Sequence, residues 1–255
     1  MTDSLAKFAR LHDPDRFLAA LFAPQSRREA FFILIAFNHE LARAREVASL
    51  PMLAMIRLQW WREVVQGASR QHEVATPLSQ AIEAGQLDRD DLLTMIDARE
   101  QETEDTMPDL ATWNRYVEGT AGGFAVAAGR MLGAADELPR LRSLGAAYGI
   151  AGQLAKVAAL AQRDRCLLPA DLLEAHGLTP YHVMQRPECA APVLDELAKQ
   201  GLDRIATSGG RLPRALISAA LPAVLARQDL KTRTRTRRAA IKFAVLTAAL
   251  TSRIS

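Results

Sequence analysis

Carboxylates that could bind a metal ion gather in one predicted helix of this chain. Asp97, Glu100, Glu104 and Asp105 would form an acidic helix face, because residues three and four positions apart lie on the same side of a helix. Carboxylate oxygens are the ligands that Mg²⁺ and Ca²⁺ prefer. Acidic helix faces are more often solvent-exposed surface than binding sites. We therefore expect these carboxylates to be solvated, with a metal site or a partner-binding site as the alternative.

Arg57, Gln59 and Arg62 lie beside two adjacent tryptophans and could line a ligand pocket. Structural hydrogen bonds and surface ion pairs are the commoner roles of such side chains, and we expect Trp60 and Trp61 to be core residues. The chain contains no nucleotide-binding G-x-x-x-x-G-K-[ST] loop, no G-x-S-x-G nucleophile motif and no H-E-x-x-H zinc motif. None of these common catalytic signatures therefore identifies an active site.

A basic segment near the carboxyl end is the strongest local charge feature. Residues 231–238 are rich in lysine and arginine and contain no carboxylate, although the whole chain has a net charge of only +3. Lys231, Arg235, Arg238 and Lys242 would share one face of a helix. Such a helix suits either an anionic membrane surface or the solvated end of a core helix. No aromatic residue interleaves the basic residues, which disfavours nucleic acid.

Composition indicates one folded domain over residues 1–255, with a basic C-terminal helix at about 231–252. The chain has 255 residues, 49% hydrophobic residues and a mean hydropathy of −0.04, enough for one large core. The longest purely apolar run, 30–37, is much shorter than a membrane span. The amino-terminal residues do not resemble a secretory signal. We expect a cytoplasmic protein, with a peripheral position at the inner face of the cytoplasmic membrane as a further option.

Apolar residues recur at helical spacing along almost the whole chain, which predicts an all-α fold. Asp13 followed by Pro14 is typical of a helix start, and Ser26 with Glu29 has the spacing of a capping box. The predicted helices span residues 13–22, 26–47, 51–66, 77–83, 88–104, 110–132, 136–162, 169–176, 179–184, 191–207, 213–227 and 232–252.

Three segments resemble the squalene/phytoene synthase family. The first runs from Phe17 to Glu46 and combines a short aromatic helix, a proline, an arginine-rich helix start and an Ala-Phe pair. The second is the Tyr-x-x-x-x-Ala-Gly segment at 116–122. The third joins Gly-Gln-Leu at 152–154 to Leu-Leu-Pro-Ala-Asp at 167–171. The resemblance covers about Asp13 to Leu178 and implies an all-α isoprenoid synthase bundle around a central cavity.

The resemblance also implies where the catalytic aspartates of the family would lie. Synthases of this family use two aspartate-rich motifs on facing helices to bind the Mg²⁺ that holds two prenyl diphosphates. Counting from the shared segments, the first motif falls at Ala42 and Glu46, and the second begins at Leu160, with Asp164 as a candidate remnant of its last residue. We therefore expect no catalytic residue and no metal at these degenerate positions.

The two helix faces would then present different chemistry from that of a synthase. The first helix face would consist of Asn38, Ala42 and Glu46, and it would lie opposite a second set of residues on the other helix. The carboxylate of Glu46 would then oppose the ammonium group of Lys156. The second set consists of Gln153, Lys156 and Leu160. If the helices face each other as in the synthases, Glu46 and Lys156 could form an ion pair where the metals would bind.

A narrower resemblance concerns a branch that lacks the aspartate-rich motifs. Asn38-x-Glu40-Leu41-Ala42 and Gln59-Trp60-Trp61-Arg62 are similar to the non-canonical branch that includes the mitochondrial complex I assembly factor 6 and its alphaproteobacterial relatives. The candidate pocket residues are Asn38, Glu40, Glu46, Arg57, Gln59, Arg62, Gln153 and Lys156.

The resemblance leaves three functional hypotheses. The first is a catalytically degenerate assembly or interaction factor for a respiratory membrane complex, complex I, without a cofactor; its partners would be subunits or assembly proteins, and a prenyl lipid could occupy the old cavity. The second is an active Mg²⁺-dependent prenyl transferase that joins two prenyl diphosphates. The third is a lipid-binding protein without an assembly role.

Overall fold

The computed structural model describes residues 2–232 and 239–254, and the fold is all-α, as predicted. The helices are α1 Thr2–His12, α2 Pro14–Ala20, α3 Gln25–Glu46, α4 Pro51–Gln66, α5 Ala75–Glu83, α6 Arg89–Arg99, α7 Leu110–Gly119, α8 Ala121–Met131, α9 Leu138–Ala161, α10 Ala170–Ala175, α11 Pro180–Gln185, α12 Ala191–Ser208, α13 Ile217–Ala220, α14 Pro222–Thr232 and α15 Ala239–Thr251. Short 3₁₀ turns cover Glu100–Thr103, Pro187–Ala190 and Arg214–Leu216.

Within the part of the chain that the structure describes, four very short strands form two small ladders beside the helices. β1 Thr106–Met107 pairs in parallel with β2 Cys166–Pro169, and β3 Gly210–Arg211 pairs antiparallel with β4 Arg253–Ile254. The first ladder ties the segment after α6 to the segment after α9. It therefore fixes the carboxyl ends of two helices that contribute to the site described below.

The centre of the bundle is α9, which packs against α7, α8, α12 and α14. Its approach to α8 is close because small residues meet there. A Cβ atom added at Gly145 would lie 2.5 Å from the Ala121 carbonyl oxygen, and one added at Gly149 would lie 2.8 Å from the Ala121 Cβ. The two helix backbones could not approach this closely if either glycine carried a side chain.

Within the described residues, one helix has the length and composition to cross a bilayer, although the sequence pattern predicted none. This helix is α9, with a mean hydropathy of 1.3 in its most apolar window and half of that window buried inside the protein. The central helix of a folded domain shows the same composition, so the finding is weak support for a membrane span.

The predicted single helix over 110–132 is wrong, because the helix is interrupted at Thr120. α7 and α8 meet there, and Thr120 has φ −81° and ψ −80°. Its hydroxyl donates to the Tyr116 carbonyl oxygen at 2.7 Å. Gly119 lies against α6 so closely that an added Cβ would be 2.4 Å from the Ala98 Cβ, so packing against α6 accompanies the change in direction.

Other helix ends also differ from the sequence prediction. Asp13 caps α2, accepting from the Arg16 amide at 3.0 Å as expected, but the predicted capping box at Ser26 is wrong. α3 begins at Gln25 with Pro24 as its N-cap and has no side-chain capping bond, so Ser26 is already inside the first turn. α1 was not predicted, and it buries Leu5 and Ala9.

Two further predictions merged separate elements. The predicted 88–104 helix ends at Arg99 and continues as the Glu100–Thr103 3₁₀ turn. The predicted 213–227 helix is instead a 3₁₀ turn followed by α13 and by α14, which reaches Thr232. Pro222 begins α14, and proline is favoured in a first helical turn but not inside a helix.

Candidate functional site

A cleft of about 410 Å³ opens between α1, α2, α3, the α7–α8 junction and α9. Five residues on the two predicted facing helices line it, as expected from the sequence: Asn38, Ala42, Glu46, Gln153 and Lys156. The side chains of the two helix faces therefore meet in this cleft.

Glu46 and Lys156 meet across the cleft, as predicted. The Lys156 Nζ lies 3.9 Å from the Glu46 Oε1, and each side chain is a little under half exposed. An exposed pair at this distance contributes little to stability. Its consequence is chemical, because an ammonium group occupies the position opposite the one carboxylate of the α3 face.

A buried polar network lies beneath this pair and connects α3 to α9. One Nη of Arg99 donates to both carboxylate oxygens of Glu102, at 2.8 and 2.9 Å, and the other donates to the Asn38 Oδ1 at 3.2 Å. The Tyr116 hydroxyl donates to Glu102, and the Gln153 Nε2 donates to the Tyr116 Oη at 2.6 Å. Asn38 and Gln153 are thus held in place by residues from α6, α7 and the turn between them.

The protonation states in this network follow from burial and from the Arg99–Glu102 pair. Burial opposes the charged form of Glu102, but Arg99 and then Lys156 outweigh it and lower its pKa. Burial likewise opposes the charge of Arg99, yet Glu102 raises the pKa of Arg99. Burial and the Glu102 charge raise the pKa of Tyr116 well above its usual value. Glu102 is therefore a carboxylate, and Tyr116 is a neutral donor.

Arg165 fixes the segment that carries Glu102. It donates to the Glu102 carbonyl oxygen at 2.5 Å and to the Glu104 carbonyl oxygen at 3.1 Å. Asp105 lies 3.4 Å from the Arg165 Nε and accepts from the Arg45 Nη2 at 2.9 Å. Burial and the neighbouring Arg45 lower the pKa of Arg165.

A second buried cation, Arg16, lines the cleft on the α2 side. Its Nη1 lies 3.0 Å from the Asp13 carboxylate, and its guanidinium carbon lies 4.1 Å from the centre of the Phe124 ring. A guanidinium over an aromatic face at this distance is a cation–π contact. The sequence pattern did not single out Arg16, because residue spacing does not indicate its contact with Phe124 on α8.

His39 also lines the cleft, and it is a packing residue. Its ring centre lies 4.2 Å from that of His12 and 5.3 Å from that of Phe8. Burial, followed by the charges of His12 and Arg43, lowers the pKa of His39 to about 4. The ring is therefore neutral near pH 7.

Several predicted pocket residues do not line this cleft. Arg57 and Gln59 lie exposed on the outer face of α4, and Arg62 pairs with Asp97 and with the Glu100 Oε1, the latter at 2.6 Å. The core face of α4 carries Trp61, which is buried as expected. Arg57 and Gln59 therefore face solvent, and Arg62 joins α4 to the end of α6 and the turn that follows it.

Glu40 and the second predicted motif also lie outside the cleft lining. Glu40 pairs with Arg43 at 3.6 Å. Leu160 contacts a separate small void beside Leu167 and Leu168. Asp164 is exposed and has φ 54° in the turn after α9.

The acidic face predicted on α6 is largely engaged in ion pairs. Asp97 and Glu100 pair with Arg62, and Asp105 contacts Arg45 and Arg165. Among the residues that the structure describes, no three or more His, Cys, Asp or Glu side chains converge as a metal site would require.

The predicted basic patch is described in part. Lys231 is exposed near the end of α14, and Lys242 lies within α15. Arg235 and Arg238 lie outside the described residues.

The donor set of the cleft differs from the one that a magnesium–diphosphate cluster needs. Mg²⁺ prefers hard oxygen ligands in near-octahedral geometry. The α3 and α9 faces offer Glu46 alone as a carboxylate, and Lys156 lies 3.9 Å from it. The buried Glu102 is already bound by Arg99 and Tyr116. These residues do not fit such a cluster.

Comparison with known proteins identifies the family of the chain. A sequence profile of the family described as squalene/phytoene synthase matches residues 9–249. Human NADH dehydrogenase (ubiquinone) complex I, assembly factor 6 is 27% identical over 184 residues, which cover 69% of this chain and 55% of that protein. A Drosophila melanogaster homologue of that factor is 23% identical over 186 residues. The chain spans about half the length of these relatives.

Two solved structures share the fold across 98% of this chain. Squalene synthase HpnC from Alicyclobacillus acidocaldarius superimposes with a TM-score of 0.69 at 18% identity, over 94% of its own length. A dehydrosqualene synthase in complex with ligand superimposes with a TM-score of 0.80 at 14% identity, over 95% of its length. At these identities the likeness concerns the fold alone.

Proposed function

The chain belongs to the squalene/phytoene synthase family, and we propose that it is a catalytically degenerate member that serves as an assembly or interaction factor for a respiratory membrane complex, complex I. The observation that carries the proposal is the Glu46–Lys156 pair across the cleft, at 3.9 Å. A synthase of this family needs carboxylates at such positions, whereas this protein has one carboxylate opposed by a cation.

The electrostatics of the whole cleft support the loss of the metal site. Four basic side chains and three carboxylates line it. The basic residues are Arg16, Arg43, Arg99 and Lys156, and the acidic ones are Asp13, Asp15 and Glu46. A site for several divalent cations requires the opposite excess of charge. We propose that the protein uses no cofactor.

The assembly role is supported by the relatives, whose names state that they are complex I assembly factors. It is also supported by an exposed apolar surface at the start of α4. Val47, Leu50, Met52, Leu53 and Ile56 are exposed there, while the opposite side of α4 buries Ala54, Leu58 and Trp61. We call these five exposed residues the α4 surface.

The α4 surface has the character of a protein-binding patch. From Val47 to Trp61 the chain contains no acidic residue and one basic residue, Arg57. Depletion of charge with enrichment in methionine is typical of the core of a protein–protein interface, and contiguous exposed apolar patches mark interaction sites. A subunit or assembly partner of the respiratory complex is the proposed occupant.

The cleft could still hold a prenyl-type lipid. Its volume of about 410 Å³ lies within the range of small-molecule sites. In this proposal the lipid binds without magnesium, and the protein works at the inner face of the cytoplasmic membrane, where its partner complex resides.

A genetic experiment tests the assembly role. A strain that lacks the chromosomal copy is complemented with the wild type, with M52Q/I56Q or with L11Q/Y181S, and assembled complex I is measured on native gels by NADH dehydrogenase activity. Leu11 and Tyr181 are also highly exposed apolar residues but lie outside the α4 surface, so they form the matched control.

We expect the wild type and the control variant to restore the complex and M52Q/I56Q to fail. Normal complex I in the strain without the protein would overturn the assembly role. Full restoration by M52Q/I56Q would exclude the α4 surface as the binding site.

A further inference from the structure

The C-terminal helix α15 has two apolar faces, and the core uses one of them. Val245, Ala248 and Ala249 are buried, and α15 packs against α13 and α14. On the other side Phe243 and Leu250 are each 69% exposed, and Leu246 is 42% exposed. The spacing 243, 246, 250 places these three side chains on one stripe, one helical turn apart.

The sequence around this stripe is strongly basic. From Arg227 to Arg253 the chain contains eight lysines and arginines. It contains one carboxylate in the same span, Asp229, which is buried. The stripe therefore lies within a segment of net positive charge.

Three of these cations line one shallow depression beside the β3–β4 ladder. Arg227, Lys231 and Arg253 border a space of about 490 Å³, and Asp203 is the one acidic residue in its described lining. All three cations are exposed. They are placed next to α15 by the end of α14 and by β4, which follows α15 directly.

We infer that this surface, formed by Phe243, Leu246 and Leu250 with Arg227, Lys231 and Arg253, docks on an anionic lipid bilayer. We call it the C-terminal surface. Apolar side chains on a helix insert into the boundary of the acyl chains, while neighbouring lysines and arginines attract anionic headgroups. Adjacent elements meet both requirements, since α15 contacts α14 and β4.

The other exposed surfaces and other ligands fit these observations less well. The α4 surface is apolar but has Arg57 as its one nearby basic residue through Trp61, so charge would not draw it to an anionic membrane. Nucleic acid would be attracted by the cations, but it would leave the apolar stripe in water. A bilayer accounts for the stripe and the charge together.

The inference goes beyond the proposed function and does not rest on it. Vesicle binding requires neither complex I nor a degenerate active site. The complementation test and the vesicle test can therefore fail independently. The first would fail for a protein that binds lipid but assembles nothing, and the second would fail for an assembly factor that binds no lipid.

The test is co-sedimentation of the full chain with vesicles of phosphatidylcholine, with and without phosphatidylglycerol, over a salt series. Four proteins are compared: wild type, F243S/L246S/L250S, R227Q/K231Q/R253Q and the α4-surface variant M52Q/I56Q. Thermal unfolding of each protein confirms that it is folded. The single variants F243S and L250S replace the triple variant if the latter does not fold, because each removes one highly exposed ring or side chain.

We expect the wild type and M52Q/I56Q to bind phosphatidylglycerol vesicles, with binding that weakens as salt rises. Loss of the three stripe side chains should weaken binding about tenfold or more, since each buried methylene contributes to insertion. The charge variant should lose most of its preference for anionic over neutral vesicles.

Three results would overturn the inference. The first is equal sedimentation of the wild type and the stripe variant. The second is equal binding to neutral and anionic vesicles. The third is normal vesicle binding by the stripe variant together with loss of a co-purifying respiratory subunit, which would assign the surface to a protein partner.

Discussion

At the scale of single residues, Glu102 is the centre of the structure beneath the cleft. Its carboxylate accepts from Arg99 and Tyr116, and the three side chains are buried together. Breaking a buried ion pair from one side leaves the other charge unpaired in a poorly solvated place. The network therefore holds the floor of the cleft in one arrangement and keeps this carboxylate away from any ligand.

Glu102→Gln should therefore destabilise the protein far more than Glu46→Gln. We expect a loss of about 3–5 kcal/mol in the free energy of unfolding for Glu102→Gln, because Arg99 stays buried without its carboxylate. We expect about 1 kcal/mol or less for Glu46→Gln, whose partner Lys156 is partly solvated. Urea denaturation measures both variants, and equal losses would contradict the account of the network.

His39 predicts how stability depends on pH. Its pKa in the folded protein is about 4, against 6.5 for the free side chain, chiefly because of burial and then of His12 and Arg43, with Asp13 acting in the opposite direction. Between these two values the unfolded chain binds more protons than the folded one, so stability falls as the pH drops from about 6.5 to about 4. Glu102, whose pKa is lowered, adds a further loss in acid.

His39→Gln should reduce this pH dependence. We expect the thermal midpoint of the wild type to fall more steeply between pH 6.5 and pH 4.5 than that of His39→Gln. The matched control is His176→Gln, which removes a partly exposed histidine paired with Glu196 at 3.2 Å. Identical slopes for the wild type and His39→Gln would show that His39 does not titrate as its surroundings imply.

The residues of the site were predictable in part. Asn38, Glu46, Gln153 and Lys156 were found because a family resemblance fixed their positions on two helices, and the structure places all four in the cleft. Arg99 and Glu102 were missed because their roles depend on partners far away in the sequence. Arg99 contacts Asn38 across 61 positions, and Arg165 contacts the Glu102 carbonyl across 63. Helical periodicity carries no signal for such contacts.

At the scale of elements, the close approach of α8 and α9 holds the two halves of the cleft together. Gly145 lies against the Ala121 carbonyl oxygen and Gly122. Gly152, about two turns further along α9, has nothing within 4 Å of the position of an added Cβ. The same helix thus contains one glycine that packing requires and one that it does not.

Gly145→Ala should be strongly destabilising, and Gly152→Ala should not be. We expect the first variant to lose about 2–3 kcal/mol or more, because a methyl group 2.5 Å from a backbone oxygen forces the helices apart. The second should gain up to about 1 kcal/mol, because alanine favours helix over glycine. Unfolding in urea decides the matter, and a neutral Gly145→Ala would contradict the packing of α8 on α9.

The positions of the helices were predicted better than the points at which a helix is interrupted. Residues 51–66 form a helix with the predicted bounds, between Pro51 and the left-handed Gly67. Proline favours the first turn of a helix and glycine favours its C-terminal end, and both preferences depend on local geometry alone. The break at Thr120 was missed. Gly119 packs against Ala98 on α6 at this point, and a tertiary contact of this kind leaves no local pattern.

At the scale of the whole molecule, the protein combines the fold of a synthase with two exposed apolar surfaces, one at α4 and one at α15. The fold followed from the family resemblance and is confirmed by two structures over 98% of the chain. The basic segment beside the C-terminal surface was recognised in the sequence, but the exposed apolar residues of that surface and of the α4 surface were not, because they would look like core positions in a helical pattern. Their exposure is a property of the assembled bundle.

We propose that this protein has lost the diphosphate chemistry of its family. Restoring two motif positions with A42D/L160D should not create activity, because Leu160 does not line the cleft. Product formation by this variant, with none by the wild type, would show that the two substitutions are sufficient.

The most direct measurement is calorimetric titration of the wild-type protein with farnesyl diphosphate, with Mg²⁺ and then with EDTA, together with an assay for the joined product. We predict no product and no binding that EDTA abolishes, because one carboxylate paired with an ammonium group cannot hold the metal cluster. Tight binding that requires Mg²⁺, or any joined product, would contradict the claim and identify the protein as an active prenyl transferase.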